Sequence, residues 1–398
     1  MHIAFFTNFY LPVVNGVTRS VESFREELTR QRHNVFIFAQ SADDYEDTVP
    51  FIFRYPSVTL PVYVDVPAVI PVSPFIDQLL PALKLDVIHT HHPFLLGSTA
   101  ARKAEELHLP LVFTFHTQYQ EYTHYVPLPQ ETIQEFLKGA VKNWLQDFMR
   151  LCQHIIIPSE SMKDILVQDY GLRDCYTVIP TGMDLEPYRR ADGKALRARE
   201  GWQDDIVLVS TGRLASEKNW PTLIQAAQKV YREHPQLRVV LIGDGPEKSA
   251  LQELVAELGI AERVTFTGEI HFSEVPVYLK AADVFGFASV TETQGLVTME
   301  AIAAGLPVVA VDGSGTRDII ENGKQGWLVP NDPEALADSI NRLLDSPEKM
   351  RKFRRGALRK AKTFEMKNCA KQMVKVYKQA IEDKAAQRYV TIEAAQER

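Results

Sequence analysis

The chain has 398 residues, of which 45% are hydrophobic and 24% charged, with a formal net charge of −7. That length is too great for one ordinary core and predicts two domains of a soluble globular protein. The acidic balance disfavours a general nucleic-acid binder, and no nucleic-acid partner is expected. Cys152, Cys175 and Cys369 show neither paired nor zinc-site spacing and suit a reducing compartment.

The opening "MHIAFFTNFYLPVVNG" reads as a first strand and loop. No signal peptide is expected: no basic stretch precedes the apolar run, and Thr7, Asn8 and Pro12 interrupt it. No apolar run reaches eighteen residues, so no membrane-spanning helix is expected and the expected location is the cytoplasm. Strand-like runs follow in "NVFIFAQ", "DVIHTH", "PLVFTFH" and "HIIIPS", then in "IVLVSTG", "LRVVLIGD", "RVTFTG", "VFGFAS" and "PVVAVD". Between them lie segments of 3.6-residue periodicity such as "RSVESFREELTRQ" and "WPTLIQAAQKVYREH". Continuous apolar strands alternating with helices predict an α/β chain with parallel sheets covered on both faces.

The series restarts at "IVLVSTGRLASEKN", after a polar stretch at 185–204 that reads as a hinge. The expected division is a first Rossmann-like domain over 1–190 and a second over 200–374. A terminal helix at about 375–398 is expected to pack back on the first. Neither restart carries GxGxxG, which disfavours a dehydrogenase.

In the first half, "HTHHP" at 89–93 resembles a metal cluster, but successive strand residues point to opposite faces. No metal is expected there, and His91 is read as lining the site. "VFTFHTQYQEYTHYV" ends a strand at His116 and brings Tyr119 and Tyr122 close behind. In residues 130–153, Ile133, Phe136, Leu137, Val141, Trp144, Leu145 and Phe148 recur at helical spacing with Lys138, Lys142 and Arg150 beside them. Such a stripe either faces the core or lies in an anionic bilayer interface.

In the second half, "STGRLASEKN" places Gly212, Arg213 and Lys218 at a strand end, two fixed cations suited to a diphosphate. "LIGDGPEKSALQ" offers Gly243 and Gly245 for close backbone approach to a nucleotide. "SVTETQGLVTMEA" brackets a strand-to-helix turn with Glu292 and Glu300. The amides of Gly295 and Leu296, at a helix start, form an anion site. One carboxylate can then meet sugar hydroxyls and the other ribose hydroxyls, with the phosphates between them. No Asp-x-Asp sits at a strand end, which argues against an essential divalent metal.

"GRLASEKN", "IGDGPE", "ETQGLVTME" and "AAGLPVVAVDGSG" resemble retaining glycosyltransferases of the GT-B fold, family 4 type, over essentially the whole chain. The resemblance implies two Rossmann-like domains facing across a cleft and a nucleotide-diphosphate sugar as co-substrate, with no separate cofactor. It implies that Arg213 and Lys218 bind the donor diphosphate, Glu292 the transferred sugar, Gly295 and Leu296 the phosphates, and Glu300 the ribose. His116 would face the transferred sugar, and the loop carrying Asn15 and Gly16 would lie against donor phosphates or acceptor. Front-face attack with retention, assisted by the departing diphosphate, is the mechanism implied. This chain departs from the family at Gln294, where an aromatic residue is usual. The His-Thr-x-Tyr-x-x-Tyr-x-His-Tyr pattern after the strand is similar to bacterial diacylglycerol glucosyltransferases. It implies transfer of glucose from UDP-glucose to a membrane lipid by a peripheral enzyme on the inner membrane face. Alternatives are a soluble sugar or sugar-phosphate acceptor, and a nucleotide-sugar epimerase or binding protein.

Overall fold

A computed structural model of the chain describes residues 1–42, 45–60, 66–118 and 131–393. The chain divides into two compact units, Met1–Gly182 with Met366–Arg398, and Met183–Glu365.

In the first unit seven strands form one sheet. Their order is Ile52–Tyr55, Asn34–Gln40, His2–Phe6, Val87–Thr90, Leu111–Thr114, His154–Ile157 and Tyr176–Val178, and every neighbouring pair is parallel. The period of two divides the core. Ala4 and Phe6 face the helices Leu96–Glu106, Glu131–Met149 and Glu160–Asp169. Ile3 and Phe5 face the helices Gly16–Arg30 and Met366–Ala385. Each fully buried Leu, Ile or Phe in such a layer contributes about 1.5–3 kcal/mol relative to exposure.

The second unit repeats the plan with six parallel strands, in the order Val264–Gly268, Leu237–Ile242, Ile206–Thr211, Val284–Phe287, Val308–Val311 and Gly326–Val329. Val207 and Val209 pack on one side, against the helices Val275–Ala281, Leu296–Ala303 and Pro347–Ala361. Leu208 packs on the other, against Trp220–Glu233, Lys248–Glu257 and Pro333–Leu344. Both sheets are therefore doubly wound. In each, the strand order reverses beside the first strand, and the loops at the carboxyl ends there form the crevice where such folds bind ligands.

The chain passes between units at 182/183 and 365/366. The polar stretch read as a hinge forms two short helices, Glu186–Arg190 and Gly193–Glu200, whose Tyr188 and Leu196 enter the core of the second unit with Leu185 and Trp202. Those four apolar side chains are too sparse in a polar background to give a period. The terminal helix starts at Met366, ahead of the expected 375, because Cys369, Ala370, Met373, Val376, Tyr377 and Ala380 already make a 3–4 spaced stripe that buries against the first sheet.

Candidate active site

In the second unit the strands Ile206–Thr211 and Val284–Phe287 are neighbours, with Leu208 opposite Val284 and Val209 opposite Phe285. Their carboxyl ends bring together two loops 74 residues apart in sequence. The first loop is anchored at three points. Gly212 N donates to Ile242 O at 3.0 Å. Trp220 Nε1 donates to Arg213 O at 2.9 Å. Asn219, in a left-handed conformation with φ 53°, donates from Nδ2 to Ala288 O at 3.2 Å and Asn331 Oδ1 at 2.8 Å. Asn219 thus ties the cationic loop to the end of the strand that leads to Glu292. Arg213 is exposed and has no acidic partner among the described residues. Lys218 Nζ lies 2.5 Å from Glu292 Oε1, with the two side chains 22% and 13% exposed.

The second loop turns into the helix Leu296–Ala303 through Gly295, whose φ of 72° suits glycine. Gly295 O accepts from Thr298 N at 3.0 Å, leaving the amides of Leu296 and Val297 at the helix start without intrahelical acceptors. Ser314 Oγ donates to Glu292 O at 3.0 Å and holds this loop from the next strand end. Glu300, in the second turn, is only 1% exposed. Gln294 is buried and turns its amide Nε2 to Met299 Sδ at 2.9 Å. Gly243 stands beside the first loop: a Cβ there would come within 2.1 Å of Gly212 O, so no larger residue fits. Arg213, Lys218, Gly212, Gly243, Glu292, Gly295, Leu296 and Glu300 therefore all belong to the loops and helix start of one sheet end.

In the first unit Asn15 caps the helix Gly16–Arg30, its side chain accepting from Thr18 N at 2.9 Å, and Gly16 opens that helix on the surface. His116 follows the strand Leu111–Thr114 and keeps part of its surface open. His91, after the neighbouring strand, is buried, with Nδ1 2.9 Å from His116 Nε2. It stands behind His116 and not on an open wall. Burial lowers the pKa of His116 to about 3 and puts His91 well below the ordinary histidine value, the latter with help from His89, His116 and His92. Both imidazoles are neutral at physiological pH. Tyr119 and Tyr122 lie outside the described residues. Among the described residues no group of three or more His, Cys, Asp or Glu is arranged to hold a metal ion.

Two family models match the chain: glycosyl transferases group 1 over residues 192–360, and Glycosyltransferase Family 4 over 14–187. The alpha-monoglucosyldiacylglycerol synthase of Streptococcus pneumoniae (strain R6) is 34% identical over 357 residues, 87% of this chain and 79% of that one. The chain belongs to this glycosyltransferase family. The enzyme of the same name from Acholeplasma laidlawii is 31% identical over 362 residues, 87% of this chain and 89% of that one. The solved structure of Anabaena HepE in complex with UDP superposes with a TM-score of 0.76 at 21% identity, covering 95% of this chain and 100% of that one. The glycosyltransferase thus has the GT-B fold, with a Rossmann-like parallel sheet in each unit.

The helix Glu131–Met149 of this glycosyltransferase divides its stripe. Leu145 and Phe148 enter the core, and Trp144 is 40% exposed, against Phe94 and Phe148. Lys138 is exposed and Lys142 half-buried, while the side chains of Ile133, Phe136 and Leu137 lie outside the described residues. Among the described residues no helix is long and apolar enough to cross a membrane. Asn219 and Ser314, which position the site, escaped the sequence reading. Asn219 in "SEKNWP" precedes a helix with proline at its second position, a start signal that could have drawn notice. Ser314 lies between two glycines in "DGSG" at a strand end.

Proposed function

We propose that this glycosyltransferase moves glucose from UDP-glucose to diacylglycerol with retention of configuration. The observation that carries this reading is the 34% and 31% identity to two alpha-monoglucosyldiacylglycerol synthases across most of each chain. The loops of the second unit fit the donor side. Arg213 and Lys218 meet the diphosphate together with the amides of Gly295 and Leu296, Gly212 giving the cationic loop its turn beside them, Glu292 meets the glucose, and Glu300 the ribose. Gly243 lets backbone approach the nucleotide. In the first unit His116 meets the transferred sugar, and Asn15, Gly16, Tyr119 and Tyr122 belong to the acceptor side and the phosphates. In the transfer the bond from C1 to the phosphate oxygen breaks and a bond from C1 to the lipid hydroxyl oxygen forms on the same face. The hydroxyl proton passes to the departing diphosphate, whose charge the two cations and the helix start stabilise without a metal ion.

A lipid acceptor requires the protein to work at a bilayer surface on the cytoplasmic side, and Lys138 and Lys142 then meet anionic headgroups. Each cation near such a surface contributes about 1 kcal/mol, so the Lys138→Gln/Lys142→Gln variant should bind anionic vesicles roughly thirtyfold more weakly. Sedimentation with vesicles containing or lacking anionic lipid measures this. Binding of the wild type confined to anionic vesicles, and weakened in the variant, supports the reading. A wild type that binds neither vesicle, yet glucosylates a soluble sugar, overturns the lipid acceptor.

A further inference from the structure

We propose that His91 is a positioning residue that fixes the tautomer of His116, so that His116 meets the substrate through Nδ1 as a hydrogen-bond donor and not as a base. The inference rests on the reading in which His116 meets the transferred sugar.

Two neutral imidazoles share the 2.9 Å contact between His91 Nδ1 and His116 Nε2, so one nitrogen donates and the other accepts. Two arrangements satisfy it. In one, His116 Nε2–H donates to His91 Nδ1, and His91 must then carry its own proton on Nε2. That nitrogen is sealed from solvent and has no hydrogen-bond partner. An orphaned buried N–H is among the rarest features of folded proteins. In the other, His91 Nδ1–H donates, and the nitrogen left without a partner is a bare acceptor. The second arrangement leaves no buried N–H unsatisfied.

The ring of His91 is not at liberty to turn toward another partner. Phe5 meets it edge to face with centroids 4.8 Å apart, and His89 lies against it at 4.3 Å. His89 is itself held at both nitrogens, Nδ1 at 2.8 Å from Tyr377 Oη and Nε2 at 2.7 Å from Thr114 Oγ1. Tyr377 comes from the terminal helix Met366–Ala385, so a residue far along the chain braces the pair from behind.

With Nε2 of His116 occupied as an acceptor, its proton resides on Nδ1, which has no protein partner among the described residues. His116 therefore offers an N–H to a sugar oxygen. This division suits a transfer in which the departing diphosphate takes the acceptor proton: the histidine orients, and the phosphate acts as base. Setting a histidine's tautomer through the hydrogen bond at its other nitrogen is a common second-layer device.

The test uses the full chain with ¹⁵N-labelled histidine and reads the His116 ring nitrogens by NMR, the resonances being assigned with His116→Gln. The wild type should show a protonated Nδ1 and a bare, accepting Nε2. His91→Leu, which removes the donor, should move His116 toward the Nε2–H form and lower kcat roughly tenfold to hundredfold with KM little changed, by analogy with lost partners of metal-bound histidines. His91→Asn, whose amide nitrogen reaches the position of Nδ1, should restore both tautomer and kcat. A wild type with its proton on Nε2 of His116 overturns the inference even if neither variant folds, as does a His91→Leu variant that keeps the wild-type tautomer. Near wild-type transfer by His116→Gln would instead refute the role of His116 at the sugar, while the NMR result would still decide what His91 does.

Discussion

Lys218→Ala is expected to lower kcat by about a hundredfold or more, and Arg213→Ala by a similar factor, as for other preorganised groups that stabilise developing charge. In the proposed reaction the negative charge to be stabilised grows on the diphosphate as its bond to the sugar breaks, so the loss should fall on kcat more than on donor affinity. The two substitutions differ in one structural respect. Arg213 is exposed and without an acidic partner among the described residues, whereas Lys218 is paired with Glu292. Removing Lys218 strands a largely buried carboxylate, so Lys218→Ala should also cost some stability, and Arg213→Ala should not. Steady-state kinetics together with thermal unfolding of both variants checks this. A kcat within threefold of wild type for either variant would remove that cation from the leaving-group site.

Glu300→Gln is expected to weaken binding of UDP alone, and Glu292→Gln to leave it intact while lowering turnover. A lost hydrogen bond to a charged group is worth about 1.5–3 kcal/mol, or roughly tenfold to a hundredfold in affinity. Glutamine is the appropriate replacement at position 300 because that side chain is almost fully enclosed and a truncation would open a cavity. The Lys218–Glu292 pair gives the comparison a sign. Glutamine at 292 removes the anion that competes with a diphosphate for Lys218, so UDP should bind this variant as well as or more tightly than wild type. Titration calorimetry with UDP decides between the two carboxylates. Equal weakening in both variants would contradict the division of roles.

Much of this was legible in the sequence. The central strands of both sheets are buried on both faces and read as unbroken apolar runs. The strands Ile52–Tyr55, Tyr176–Val178 and Gly326–Val329 were not read; each is only three or four residues long and lies at a sheet edge. The carboxylates bracketing the turn at Gly295 were legible because the helix start, its glycine and both acids fall within nine residues. The Lys218–Glu292 pair, 74 positions apart, was not, since it depends on two strands becoming neighbours. The contact between His91 and His116, 25 positions apart, likewise depends on the pairing of two strands. The sequence showed a run of histidines but not which ring nitrogen meets which.

The most direct test of the account is transfer itself. The purified protein is incubated with UDP-α-glucose and diacylglycerol in mixed micelles, with chelator present, and the anomeric configuration of the product is read by proton NMR. The account predicts α-glucosyldiacylglycerol, formed as well with chelator as without it. A β-linked product would contradict retention, and loss of activity to chelator restored by a divalent ion would contradict metal-free charge stabilisation. Absence of any lipid product, alongside robust glucosylation of a soluble sugar or sugar phosphate, would contradict the central claim.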